Sequence, residues 1–210
     1  MAGSSIKLIT VCSHPEYANI LIYGAQKHGW DLVVIQTEWR GFGTKLLATY
    51  EYLKQHSEIE RFVFCDAFDV IILGSPQEFD EKLDWQEGVM LSAEKNCWPD
   101  SNLANQFSEI DSPFKYVNSG LYYASSKWFI NLIEYNKPNY EDDDQLYMTN
   151  FYLNAPDVML DTRQTIFNSH SFIADGEYGY ENGRVQVLGN EPIFIHLNGR
   201  TIDEKLNALI

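Results

Sequence analysis

The sequence predicts an α/β domain with a mixed, mostly parallel sheet flanked by helices, and three observations predict it. Apolar runs of strand length alternate with stretches of helical periodicity through the first half of the chain. One of those runs, residues 61–66 (RFVFCD), is apolar almost throughout, as in strands covered by helices on both faces. The 210 residues contain no repeat and no linker, so a single domain over residues 1–210 accommodates them.

Each element follows from local pattern. Residues 6–13 (IKLITVCS) read as the first strand. Pro15 stands where a helix can begin, with Ser13 or His14 near its cap, and that helix runs to His28-Gly29. Asp31–Gln36 is the next strand. Thr44 can cap a helix over 45–56, where Leu46, Leu47, Tyr50 and Leu53 recur at helical spacing. After 61–66 come an apolar run at 70–73, a Gly74-Ser75-Pro76 break and a short helix. Val89–Glu94 and Tyr116–Ser125 read as strands, 127–135 and 143–154 as helices, and 184–188 and 192–197 as closing strands. The alternation is weaker in the second half.

Composition narrows the function. A net charge of −15 excludes a track for nucleic-acid phosphates, which requires a basic face. It leaves carboxylates free for a cation, and a bound diphosphate would need a metal to offset its charge. No run approaches the roughly 18–20 apolar residues of a membrane span. The opening Met1-Ala-Gly-Ser-Ser leads into a strand without a signal-peptide core, which predicts a cytoplasmic protein. Cys12, Cys65 and Cys97 are odd in number and widely spaced, so reduced thiols are expected.

Chemistry concentrates at strand ends. In Phe62-Val-Phe-Cys-Asp66-Ala-Phe-Asp69 an apolar strand runs into two carboxylates three residues apart. Ligands bind beyond the carboxyl ends of strands in open α/β sheets, and two acids there can clamp a cation that bridges a diphosphate. The competing role is capping of a turn. His196 ends a second apolar strand, where it is either structural or the imidazole that completes a carboxylate site, which would suit Mn²⁺ better than Mg²⁺. Gly199 can let backbone approach a phosphate. The run Glu141-Asp142-Asp143-Asp144 precedes a helix, so capping is its default use, but four acids exceed what a cap requires. One of them can face a pocket and stabilise charge on a sugar. Asn118-Ser119-Gly120 fits either hydrogen bonding to a sugar or a bulge, and Trp98 either stacks on a pyranose or anchors a loop. Trp39-Arg-Gly-Phe-Gly43 can shape a nucleotide pocket with Lys45 near the phosphates, although it lacks Walker spacing.

Taken in order, these strings resemble the glycosyltransferase domain of the procollagen lysine hydroxylase family and the small single-domain glycosyltransferases of large DNA viruses. The resemblance covers residues 9–201. It rests on Trp39-Arg-Gly, FVFCDAFDVII from Phe62, Gly74-Ser-Pro, Ser92-Ala-Glu, Cys97-Trp-Pro, Asn118-Ser-Gly, Asp142-Asp-Asp-Gln-Leu, Tyr152-Leu, Ile166-Phe167 and His196-x-Asn-Gly. It implies a GT-A fold and transfer of a hexose from a UDP-sugar, with Mn²⁺ (or Mg²⁺) as cofactor and retention at the anomeric carbon. It further implies Asp66, Asp69 and His196 as metal ligands, with Trp39 and Phe68 about the uracil and Ser13, Lys45, Ser119, Asn198 and Gly199 along the donor. Asp143, Asp144 and Asn118 would lie at the transferring sugar, and Trp98 would govern donor and acceptor handling. The chain departs from the family where Phe68 stands for a common Tyr and Ser13 for a Thr, where Leu121 follows Asn118-Ser-Gly in place of glycine, and where Ile202 replaces a lysine, for which Arg200 is the nearby cation.

The sequence therefore predicts a metal-dependent glycosyltransferase moving glucose, galactose or a deoxyhexose such as rhamnose from a UDP-sugar to a glycan or glycoprotein acceptor. A capsid glycan is among the acceptors if the source is viral. The alternative is a catalytically inactive nucleotide- or sugar-binding module of the same fold. A phosphatase built on Asp66 and Asp69 is disfavoured because haloacid-dehalogenase chemistry uses acids two apart, not three.

Overall fold

The computed structural model describes residues 6–83, 88–174 and 176–198. The chain begins β1 (Lys7–Cys12), a 3₁₀ turn (Pro15–Tyr17), α1 (Asn19–His28), β2 (Asp31–Gln36), α2 (Gly43–Gln55), β3 (Arg61–Cys65), β4 (Val70–Ile72) and α3 (Pro76–Lys82). There follow β5 (Val89–Glu94), a 3₁₀ segment (Ser101–Gln106), β6 (Tyr116–Ser125), α4 (Ser126–Tyr135) and α5 (Asp144–Asn154). The last elements are β7 (Val158–Asp161), β8 (Phe167–Ser169), β9 (Tyr178–Glu181), β10 (Arg184–Val187) and β11 (Phe194–His196).

Six strands form the central sheet in the order β2-β1-β3-β6-β5-β7. Every neighbouring pair is parallel except the two that involve β6, so the sheet is mixed and mostly parallel, as expected. A smaller sheet, β4-β11-β8, and the β9–β10 hairpin complete the structure. The apolar runs are explained by two-sided burial: on β3, Phe62 and Phe64 join one core with α2, α4 and α5, while Val63 and Cys65 join another with α1 and α3. Alternation at period two is hidden in the sequence because both faces are dry.

Side-chain capping starts α3, α4 and α5, whereas α1 begins after Ala18 without a side-chain cap and His14 caps nothing through its side chain. Ser75 accepts from the Glu78 amide, Ser125 from Trp128 and Asp143 from Leu146. Thr44 does not cap α2. Phe42 occupies the cap, and the Thr44 hydroxyl instead accepts from the Arg40 amide. Strands β7, β8 and β9 were not expected; they are three or four residues long and carry mixed polarity. All three cysteines are free, with Cys12 and Cys65 buried. No helix among the described residues is long and apolar enough to cross a membrane.

Candidate metal and sugar-nucleotide site

Strand ends deliver the site. Asp66 follows β3, Asp69 precedes β4, Glu94 ends β5, and His196 ends β11, which pairs with β4 so that His196 sits opposite Val70. One ligand atom from each of Asp66, Asp69 and His196 lies within 4.8 Å of the other two. His196 Nε2 is 3.3 Å from an Asp69 oxygen and 3.6 Å from an Asp66 oxygen. The ring is buried and held from behind, its Nδ1 2.9 Å from Asn118 Oδ1. That oxygen also accepts from the Gly120 amide, so Nδ1–H donates to it and Nε2 faces the carboxylates, as N–H when the ring is charged and as a lone pair when it is neutral.

The donor set fits a divalent cation: two carboxylates and an oriented imidazole, with ligand atoms close enough to share one ion. Burial alone disfavours charge on His196, but the Asp69 hydrogen bond and the negative charge of Asp69 and Asp66 outweigh it and lift its pKa. Positive charge is thus favoured where the three groups meet. Gly120 is required at this point. A Cβ there would lie 2.2 Å from His196 Cε1 and 2.8 Å from an Asp66 oxygen.

Beside the trio lies a buried ion cluster. Lys45 Nζ is 2.9 Å from Asp66 Oδ1 and 2.7 Å from Asp144 Oδ2. The Trp39–Gly43 loop makes this reach possible. A Cβ on Gly41 or Gly43 would strike the backbone oxygens of Tyr140 or Asn139, and Arg40 stacks on the Tyr140 ring at 3.7 Å. Glycine therefore lets the loop dock closely on residues 139–141 and brings the first turn of α2 to the start of α5. Burial raises the Asp144 carboxyl despite Lys45. Burial also opposes ionisation of Asp66, but Lys45 and His196 prevail and lower it.

Two cavities share Phe42, Lys45, Asp66 and Asp69 and so form one cleft. The smaller, about 420 Å³, is lined by Ser13, Trp39 and Phe68, with both aromatic rings partly exposed. The larger, about 830 Å³, is lined by Asn118, Ser119, Asp143, Asp144, Trp98 and Asn198. Of the residues expected in the site, Gly199 falls outside the described residues, as do the departing position Ile202 and the nearby Arg200.

The acidic run divides its labour. Asp143 caps α5 while also lining the larger cavity, and Asp144 turns inward to Lys45. Two buried residues of this region had not been singled out for chemistry. Glu94 accepts from Gln145 and Asn198, and burial raises its pKa; Gln145 also donates to the Trp98 carbonyl at 3.1 Å. The sequence signals for Glu94 were its place in the Ser92-Ala-Glu string and an acid at the end of an otherwise largely apolar strand.

The model of the PLOD GT domain matches residues 9–210. The chain belongs to that family. It is a glycosyltransferase-type domain with a GT-A-like fold. Human multifunctional procollagen lysine hydroxylase and glycosyltransferase LH3 is 29% identical over 186 residues, covering 78% of this chain and 25% of the human protein. Protein R699 of Acanthamoeba polyphaga mimivirus is 29% identical over 162 residues, covering 74% of this chain and 34% of the viral one. The chain thus spans about a quarter to a third of these relatives. A crystal structure of a glycosyltransferase involved in glycosylation of the major capsid of PBCV-1 shares the fold, with a TM-score of 0.58 at 11% identity over 98% of both chains.

Proposed function

We propose that this domain transfers a hexose (glucose, galactose or a deoxyhexose) from a UDP-sugar to a hydroxyl of a glycan or glycoprotein, with Mn²⁺ as cofactor and retention at the anomeric carbon. The observation that carries this is the convergence of Asp66, Asp69 and His196 midway along a cleft with aromatic rings at one end and buried polar groups beyond. A divalent cation held by those three residues supplies charge neutralisation for the diphosphate leaving group.

The chain's own residues do the rest. Trp39 and Phe68 wall the base, with Ser13 at its edge. Asn118 fixes the His196 tautomer and ring plane. Lys45 holds Asp66 and Asp144 in one frame, so that the group binding the cation and the acid facing the sugar keep a constant separation. Ser119, on β6 with Asn118, adds a hydroxyl on the sugar side, and Asn198 rests on Glu94.

Hydrolysis of UDP-glucose, UDP-galactose and UDP-rhamnose with Mn²⁺ or Mg²⁺ provides the test. One donor should turn over with Mn²⁺, and Asp69→Ala should lower that rate by roughly a hundredfold or more. Equal rates in the two proteins would rule out this metal site. Tight UDP binding with turnover of no donor would replace the transferase by a nucleotide-binding module.

A further inference from the structure

Strand β8 is an outer strand of the small sheet, and side chains rather than another strand occupy its free edge. The Phe167 amide donates to the Asp161 carboxylate at 2.9 Å, and the Ser169 amide donates to Gln164 Oε1 at 3.3 Å. Gln164 is fully buried, an unusual place for a carboxamide, and every hydrogen-bonding position of that group is filled. Oε1 also accepts from Asn168. Nε2 donates to the Asp161 carbonyl at 2.9 Å and to the Ala93 carbonyl of β5 at 3.1 Å. The residue adopts φ of +56°, a left-handed conformation that side chains rarely take and that the surrounding bonds must hold. One carboxamide thus ties β8 to β5, two strands that no backbone ladder joins among the described residues. The Ser92 and Ser169 hydroxyls, 2.9 Å apart, add a second tie between the same strands.

The opposite edge of β8 carries a metal ligand. Ser169 pairs with His196 in the parallel register of β8 and β11, and the His170 amide donates to the His196 carbonyl at 2.8 Å. Asn168, whose amide reaches Gln164, meets His170 Nδ1 through its Oδ1 at 3.0 Å. Asn118 orients the His196 ring, but β8 places the backbone from which that ring projects. Asp66 belongs to the other frame, because it follows β3 in the six-stranded sheet. We propose that Gln164 is a positioning residue for the metal centre: by suspending β8 from β5 it sets the separation between the His196 imidazole and Asp66. The inference rests on the metal reading of Asp66, Asp69 and His196.

Mn²⁺ titration of the whole chain, followed by electron paramagnetic resonance with nitrogen modulation recorded at saturation, tests it. Gln164→Met keeps the length of the side chain and removes its four hydrogen bonds. Mn²⁺ affinity should fall by about tenfold, and the imidazole nitrogen coupling should shift. Ser92→Ala removes only the second tie and should weaken Mn²⁺ by about threefold. Asn190→Ala cuts a bond to the Arg163 carbonyl, next to Gln164 in the chain but outside the tie, and should leave affinity within about twofold of wild type. Thermal melts identify which variants are folded. Affinity within about twofold of wild type in folded Gln164→Met, or in Ser92→Ala where the first variant does not fold, overturns the positioning role. So does a loss of affinity with unchanged nitrogen coupling, or an equal loss in Asn190→Ala. The wild-type arm reports separately on the metal. Bound Mn²⁺ without nitrogen coupling removes the metal reading and this inference with it, whereas a nitrogen-coupled ion indifferent to Gln164 keeps the site and removes only the positioning role.

Discussion

Two ion clusters in this molecule have opposite arithmetic. In the site, two carboxylates (Asp66 and Asp144) share one ammonium, Lys45, and all three side chains are largely shielded from water. At the edge of the second core, one carboxylate, Glu78, is shared by two cations, Lys82 and Arg184, with each side chain partly exposed. The edge cluster satisfies its carboxylate fully and ties α3 to β10. The inner cluster is left one charge short, and Asp69 adds a second negative group beside it. The lesson is that a buried cluster with excess negative charge is poised for a further cation, while a partly exposed cluster whose carboxylate already has two cationic partners serves stability.

Removing the inner cation should have the largest effect. Lys45→Met leaves Asp66 and Asp144 buried without their partner, and a loss of about 3–5 kcal/mol in urea unfolding is expected. Lys45→Met combined with Asp144→Asn should recover part of that loss. If the single variant unfolds like wild type, the two clusters do not differ in kind.

Next comes Gly120→Ala. Its methyl group would collide with His196 and Asp66, so Mn²⁺-dependent thermal stabilisation should vanish, with an intrinsic cost of about 1–3 kcal/mol. Retained Mn²⁺ stabilisation would show that the trio is not the binding point.

The edge cluster should give the smallest effect, and it should appear at low pH. The Arg184 hydrogen bond, opposed by burial and assisted by Lys82, holds Glu78 at about 2, below its ordinary 4.5. A depressed carboxylate contributes stability above its unfolded pKa and loses it as pH falls through the folded value. Wild type should therefore lose more stability between about pH 4.5 and 2 than Glu78→Gln does. At neutral pH the variant should be weaker by about 1–2 kcal/mol, discounted for partial exposure, with donor hydrolysis unchanged. Parallel pH profiles would remove the contrast.

Much of this was legible in the sequence. Tyr116–Ser125, Val89–Glu94 and Asp31–Gln36 are strands over the expected residues because strand-length runs rich in apolar and aromatic residues leave few alternatives, even where Asn118-Ser119-Gly120 interrupts one of them. The Asp66, Asp69 and His196 convergence was legible through strand-end position, although only the pairing of β11 with β4 brings the ring to the acids. Phe167–Ser169 (FNS) escaped notice because three residues carry no period, and its strand identity comes from pairing with β11. Lys45 was expected near phosphates. Its engagement of two carboxylates depends on how the Trp39–Gly43 loop docks on residues 139–141, a tertiary contact with no local signature.

Pulsed electron paramagnetic resonance of Mn²⁺ added to the wild-type chain with UDP puts the metal trio at greatest risk. One tightly bound ion with nitrogen modulation from an imidazole is expected, and that modulation should disappear in His196→Gln while a weaker oxygen-only signal persists. Bound Mn²⁺ without nitrogen coupling in wild type, or unchanged coupling in the variant, would place the ion elsewhere and contradict the site.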